Sequence, residues 1–315
     1  MFLFLFFSPC FVFVIGFFSV YLPSKSNPMF ENSNRIVVEG EPQIVTDIRN
    51  KILDSFSDLV FEEGPHKYYL NGVELPSVSH VTHQFEFEED FDKVAENYAL
   101  KNGMTKEYWL DKWKFKNLRS TTTGTLVHEY GESLAWMLNG HPEFITEHNK
   151  TKYIKEKNWL IPTRGKEMAI LNFWNDVFLK NDNIYFVLAE TKVYTGKNKQ
   201  LTNLKQDYAG TFDLLWYYHN PTNPEKSGLV ILDYKTNAKL QDSYSRNFGK
   251  YLKEPFGEMY NESQSMYNLQ LSAYQCPLED IGLKVIGRRI IWLKEDETYD
   301  LIPTEDYTND LRNVL

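Results

Sequence analysis

The sequence predicts a mixed α/β fold. Three observations carry this. Between Asn32 and Leu179 the apolar residues recur mostly with helical spacing. From Asn183 to Asn237 three runs rich in β-branched and aromatic residues (NIYFVLAETKVY, YAGTFDLLWYYH and LVILDYKTN) are separated by turn-forming stretches. A helical segment and two further strand-like runs then follow. Helices interleaved with strands in this way build a layered α/β domain.

Taken in order, residues 29–60 (ending IVTDIRNKILDSFSDLVF) are polar with a helical period. HKYYLNGVELPSVSHVTHQF reads as a small hairpin turned at Asn71-Gly72, with a step at Pro76-Ser77 into a helix or turn. Residues 88–118 are charged and helical in pattern. Gly124–Leu138 forms a further helix, stopped by Asn139-Gly140. Residues 141–162 read as a loop or ragged helix, and Lys166–Leu179 as an amphipathic helix broken at Asn181–Asn183. TGKNKQLTNLKQD is a polar, basic hairpin loop between the first two strand runs, and NPTNPEKSG is the turn before the third. Lys239 to about Asn261 shows little pattern. Ser265–Gln275 is a helix ended by Pro277, and LKVIGRRIIWLKED and TYDLIPT are two more strands.

A chain of 315 residues has room for a substantial core. Its formal net charge of −9 is not that of a protein that coats nucleic acid, although a local basic groove acts over about a Debye length, ~10 Å. The two cysteines, Cys10 and Cys276, exclude a zinc ribbon and an all-cysteine iron–sulfur cluster by count. Met1–Leu22 is almost wholly apolar and uncharged. It is a membrane anchor or uncleaved signal, a cleaved signal with a poor cleavage site, or an over-extended start upstream of Met29. The polar restart MFENSNR favours the last, and with it an intracellular protein; a membrane partner follows only if residues 1–22 are translated and retained.

The chemistry sits in the three strand runs. Asp233 and Lys235 are two apart, so they share a face while Tyr234 takes the other. Taken alone, such a pair is compatible with a surface ion pair at a strand end. Asp213, however, lies on the preceding strand three residues after Gly210, and Glu190 on the strand before that. Acids converging from adjacent strands repel unless a cation lies between them. Carboxylates beside a lysine make a hard-cation site with a positive group close by, which suits metal-assisted hydrolysis of a phosphodiester.

Five elements now stand in order: Gly124 and His128 in GTLVHEYGE, Glu190, Asp213 in GTFD, Asp233 and Lys235 in DYK, and Gln270 and Tyr274 in NLQLSAYQ. Together they resemble the PD-(D/E)XK nuclease superfamily, and within it the RecB-like exonucleases, over residues 124–274. The resemblance implies a restriction-endonuclease-like core with a central mixed sheet flanked by helices. The chain then divides into a hydrophobic segment (1–28), an N-terminal hairpin and helical region (29–123) and the nuclease core (124–315). It implies Mg²⁺ or Mn²⁺, held by Asp213, Asp233, the Tyr234 carbonyl and His128. Lys235 would position or activate water and stabilise charge on the phosphate; Glu190 would bind or orient a second metal; Gln270 and Tyr274 would contact substrate and brace the site. Glu132, one turn beyond His128, is a candidate outer partner for it. The four-cysteine iron–sulfur clamp of some relatives is absent from the sequence, as is a P-loop.

The implied partner is DNA, single-stranded or with free ends, in the company of replication or recombination proteins. DKWKFKNLR interleaves Lys112, Lys114, Lys116 and Arg119 with Trp113 and Phe115, as a single-strand path would, or as a solvated helix face would. The basic loop after Tyr194 could reach a phosphate backbone, and Ser77 or Ser79 could touch a phosphate. The expected function is a metal-dependent deoxyribonuclease, an exonuclease preferring single strands or ends. The alternative is a non-catalytic DNA-binding or scaffold protein on the same fold.

Overall fold

A computed structural model describes residues 40–87, 89–140, 163–197 and 206–315, which belong to one compact unit, Ile36–Leu315. The apolar segment 1–22, the start at Met29, the stretch 141–162 and most of the basic loop after Tyr194 lie outside the described residues. Among the described residues no helix is long and apolar enough to cross a membrane.

The centre is a five-stranded mixed sheet. Its strands are β4 (Ile184–Tyr194), β5 (Ala209–Tyr218), β6 (Gly228–Lys235), β7 (Val285–Leu293) and β8 (Tyr299–Pro303), in that spatial order. All neighbours are antiparallel except β6 and β7, which run parallel because helix α7 (Ser263–Asp280) carries the chain back between them. The fold is therefore mixed α/β with a central mixed sheet.

The N-terminal part brings two corrections. Helix α1 spans Gln43–Ser55 only, and Leu59 and Val60, the tail of the expected helix, open strand β1 (Leu59–Glu62). It pairs with β2 (Lys67–Leu70), which pairs with β3 (Val73–Leu75). Short β-branched and aromatic runs follow their neighbours rather than local periodicity. The turn joining β2 to β3 is the expected one: Asn71 and Gly72 take φ of 51° and 79°, the left-handed pair of a tight hairpin turn. Arg49 of α1 is buried. It pairs with Glu41 at 2.6 Å and donates to the carbonyls of Phe186 and Val187, at the irregularity where β4 slips register against β5. Helix α2 (Val78–His83) follows β3.

After helix α3 (Phe91–Asn102), the second correction is α4, one continuous helix from Lys106 to Leu138 where the sequence suggests two. It passes through the 123/124 boundary without a break. The threonine run that argues against continuity is accommodated by side chains folding back: the hydroxyls of Thr121, Thr122 and Thr125 donate to carbonyls four residues earlier. Helix α5 (Arg164–Phe173) ends in a π-turn, Trp174–Phe178. Phe173 stacks on Trp216 of β5 at 5.2 Å, and Trp174 Nε1 donates to the Tyr234 hydroxyl at 2.9 Å. This aromatic layer buries the side of β6 opposite Lys235.

Two further helices complete the fold: α6 (Ser243–Asn247), within the patternless stretch, and α8 (Thr308–Val314). Helix α7 runs through Pro277 instead of stopping there. A proline lacks the N–H that would bond the carbonyl four residues back. That carbonyl, of Ala273, instead accepts from the buried Tyr208 hydroxyl at 2.9 Å.

Candidate metal and active site

The sheet register lines up the acids. Ala189 faces Leu214 and Thr191 faces Phe212, so Glu190 of β4 stands opposite Asp213 of β5. Between β5 and β6 the ladder runs to Leu214–Leu232. Beyond it the Asp213 side chain takes over, its Oδ2 accepting from the Tyr234 amide at 2.7 Å. The carboxylate is thus fixed by the backbone it displaces from pairing, next to Asp233. Glu190 is held at φ 43°, a left-handed conformation that costs a non-glycine residue about 1–3 kcal/mol.

Helix α4 brings His128 to this row. Its Nδ1 lies 3.3 Å from Asp213 Oδ2 and 4.0 Å from Glu190 Oε1. One ligand atom each from His128, Glu190 and Asp213 fall within 4.8 Å of one another. The helix can come this close because Gly131 has no side chain: a Cβ there would lie 2.7 Å from the Tyr234 ring. Gly124, by contrast, has room, with 3.7 Å to Thr236 Oγ1.

The other side of the site belongs to β6 and α7. The Lys235 ammonium is 2.6 Å from Asp233 Oδ2, off the angle of a hydrogen bond, and donates to Gln270 Oε1 at 3.1 Å. Gln270 Nε2 donates to the Tyr274 hydroxyl at 3.4 Å. Asp233 is only 2 % exposed, and its Oδ2 is paired with the Lys235 ammonium.

The charges are mutually strained. Burial, reinforced by Asp213, pushes Glu190 well above the usual carboxylate range. Burial outweighs the pull of Lys235 and raises Asp233 to about 6. Asp213 is held low against the effect of burial, by His128 first. Burial alone would depress His128, but the attraction of Asp213 and Glu190 prevails and lifts it to about 9.

This donor set fits a divalent cation. Carboxylates and one imidazole converge, and a cation would relieve the repulsion that raises Glu190 and Asp233. An imidazole among oxygens suits Mn²⁺ better than Mg²⁺.

The expected residues divide into those the fold gathers and those it does not. His128, Glu190, Asp213, Asp233, Lys235, Gln270 and Tyr274 meet around the ends of β5 and β6. Glu190 sits in the compact cluster with His128 and Asp213, while Asp233 turns its carboxylate to Lys235. Glu132 carries no bond to His128; burial raises it to about 7 and Lys192 opposes that. Ser77 is the N-cap of α2, its Oγ accepting from the His80 amide at 3.0 Å. Lys112 lies over the Trp109 ring at 4.6 Å, and Lys114, Lys116 and Arg119 are exposed on the first half of α4. Sixteen residues of helix separate Lys112 from His128, about 24 Å.

Sequence reasoning passed over Gly131, Tyr267 and Asn237. Tyr267 places its ring 4.3 Å from the Lys235 ammonium and donates to Asn237 Oδ1 at 2.6 Å. Its signal was available: three residues before Gln270 and seven before Tyr274, it lies on the same stripe of α7.

No family model matches the chain, and no curated protein matches it in sequence.

Proposed function

We propose that this protein is a metal-dependent deoxyribonuclease that hydrolyses phosphodiester bonds, acting inside the cell on single-stranded or end-bearing DNA. The observation that carries the reading is a lysine ammonium held 2.6 Å from a buried carboxylate, beside a His128–Glu190–Asp213 cluster whose ligand atoms lie within 4.8 Å of one another. The resemblance of these residues, in order, to the RecB-like exonucleases supports DNA as the substrate. So does the run of four cations among aromatics at 112–119.

In this reading His128, Glu190 and Asp213 hold the cation, with Asp233 at its edge. When bound, Mg²⁺ or Mn²⁺ polarises the phosphoryl oxygen and acidifies water. The chain's own groups do the rest. Lys235 presents a fixed positive charge where negative charge develops on the phosphate. Asp213 is locked by the Tyr234 amide, so its orientation is set before substrate arrives. Gln270 and Asp233 together fix the Lys235 ammonium, the carbonyl at 3.1 Å and the carboxylate at 2.6 Å.

The test is digestion of end-labelled single-stranded DNA with Mn²⁺ or Mg²⁺. Wild type should degrade it, chelator should stop it, and Lys235→Ala should remove at least a hundredfold of the activity without lowering the melting temperature much. Purified Lys235→Ala with wild-type activity would overturn the reading. Labels at either end read the direction of digestion.

A further inference from the structure

We propose that Tyr267 is a positioning residue: the face of its ring holds the Lys235 ammonium at the site. This rests on the nuclease reading for its kinetic consequence, but not for its geometry.

An ammonium offers three donors on a flexible four-carbon stem. At Lys235 the Asp233 carboxylate lies to one side at 2.6 Å, and the Gln270 carbonyl takes a proton at 3.1 Å. The third neighbour is the Tyr267 ring, its centroid 4.3 Å from Nζ, well within range of a cation–π contact. Tyr267 is half-buried, and Lys235 exposes only 12 % of its side chain, so water screens this contact weakly.

The ring is itself pinned. Its hydroxyl donates to Asn237 Oδ1 at 2.6 Å, and the Asn237 carbonyl accepts from Trp292 Nε1 at 2.8 Å. Trp292 stands opposite Lys235 in the parallel β6–β7 register. Lys235, Asn237 two residues on, and Tyr267 therefore form a closed loop, tied at its far side to the neighbouring strand. On α7, Tyr267, Gln270 and Tyr274 make one stripe that faces the ends of β5 and β6. Without the ring, the strongest remaining partner of Lys235 is Asp233. Already 2.6 Å from that carboxylate and bonded to Gln270, the ammonium would lose the wall on its third side and with it a fixed place at the site.

Two measurements test this. The first needs no activity. In protein labelled with ¹³C-lysine, the Lys235 ε-methylene protons should be shifted upfield by the ring current. That shift should persist in Tyr267→Phe and vanish in Tyr267→Leu. The second is steady-state cleavage of single-stranded DNA. Tyr267→Leu should lower kcat about 10- to 30-fold with KM within twofold, the size expected for a desolvated cation–π contact. Tyr267→Phe should stay within about threefold of wild type. Pentafluorophenylalanine at 267 has the shape of phenylalanine but a reversed ring quadrupole. It should behave like leucine, and it keeps the test decisive if the leucine variant does not fold.

Several results overturn the inference: no upfield shift in wild type, a fluorinated ring as active as phenylalanine, phenylalanine as damaging as leucine, or an effect confined to KM. A wild type that fails to cleave DNA while showing the ring shift would refute the nuclease reading and leave the hold of Tyr267 on Lys235 standing.

Discussion

Cation binding at this site should release protons, and the structure sets the pH range. In the metal-free protein His128 titrates at about 9, because Asp213 and Glu190 lie within 3.3 and 4.0 Å of its Nδ1 and outweigh its burial. At pH 7 only about one molecule in a hundred then carries the neutral imidazole that a metal requires, a penalty of about 3 kcal/mol. The apparent affinity for Mn²⁺ should rise about tenfold per pH unit from 7 toward 9 and flatten above it. Glu190, also raised, adds to the slope wherever it still holds its proton. Without metal the trend in stability is the reverse. A histidine whose folded value exceeds its unfolded one stabilises the fold fully below about 6.5, and that contribution disappears as pH rises through about 9. The metal-free melting temperature should therefore fall between pH 6.5 and 9, while the gain from added Mn²⁺ grows. Isothermal titration calorimetry in buffers of different ionisation enthalpy counts the protons: at least one per ion at pH 7, fewer at pH 9. A count near zero at pH 7, or an affinity flat between pH 7 and 8.5, would refute the assignment of His128 as a ligand.

Two further outcomes follow from packing. Gly131→Ala places a Cβ 2.7 Å from the buried Tyr234 ring; overpacking of this kind costs about 1–3 kcal/mol, read by chemical denaturation, and an unchanged midpoint would show that α4 can shift freely. Tyr208→Phe leaves the Ala273 carbonyl beneath Pro277 without a donor; thermal melts should show a loss of about 1–2 kcal/mol, while the same change at the surface-facing Tyr98 should show almost none.

The strands, the Asn71-Gly72 turn and the sharing of one face by Asp233 and Lys235 were legible because each depends on local chemistry: β-branched runs, a left-handed pair, a period of two. What was not legible depends on partners far away in the chain. The threonine run in α4 looks like a break until its hydroxyls are seen bonding to the preceding turn. Pro277 looks like a stop until Tyr208, 69 residues earlier, supplies the missing donor. Leu59 and Val60 continue a helical period and become strand because β2 lies beside them. At the site, the types and order of the acids were readable. That the β5–β6 ladder ends at Leu214–Leu232, so that the Asp213 side chain replaces a backbone bond, was not.

The distribution of unfavourable features favours a cation site over ordinary packing. Buried polar atoms without hydrogen-bond partners occur elsewhere among the described residues: Asn268 Oδ1 and Thr304 Oγ1 are neutral, while Asp280 Oδ2 and Arg288 Nε belong to groups that are ion-paired through another atom. In the row Glu190–Asp213–Asp233 two penalties coincide: a glutamate at φ 43°, and two carboxyls raised by burial and repulsion. A glycine at 190 would relieve the backbone and remove one charge at once. Elsewhere long-range donors fill gaps in the backbone bonding: Arg49 serves the carbonyls where β4 slips register, and Tyr208 serves the one beneath Pro277. In the proposed reading a cation held among these carboxylates, with His128 and Lys235 approaching from two other directions, offsets their repulsion. Binding of such a cation would convert the repulsion among the three acids into attraction toward a common centre, so the same residues that weaken the metal-free fold should set the affinity of the loaded one.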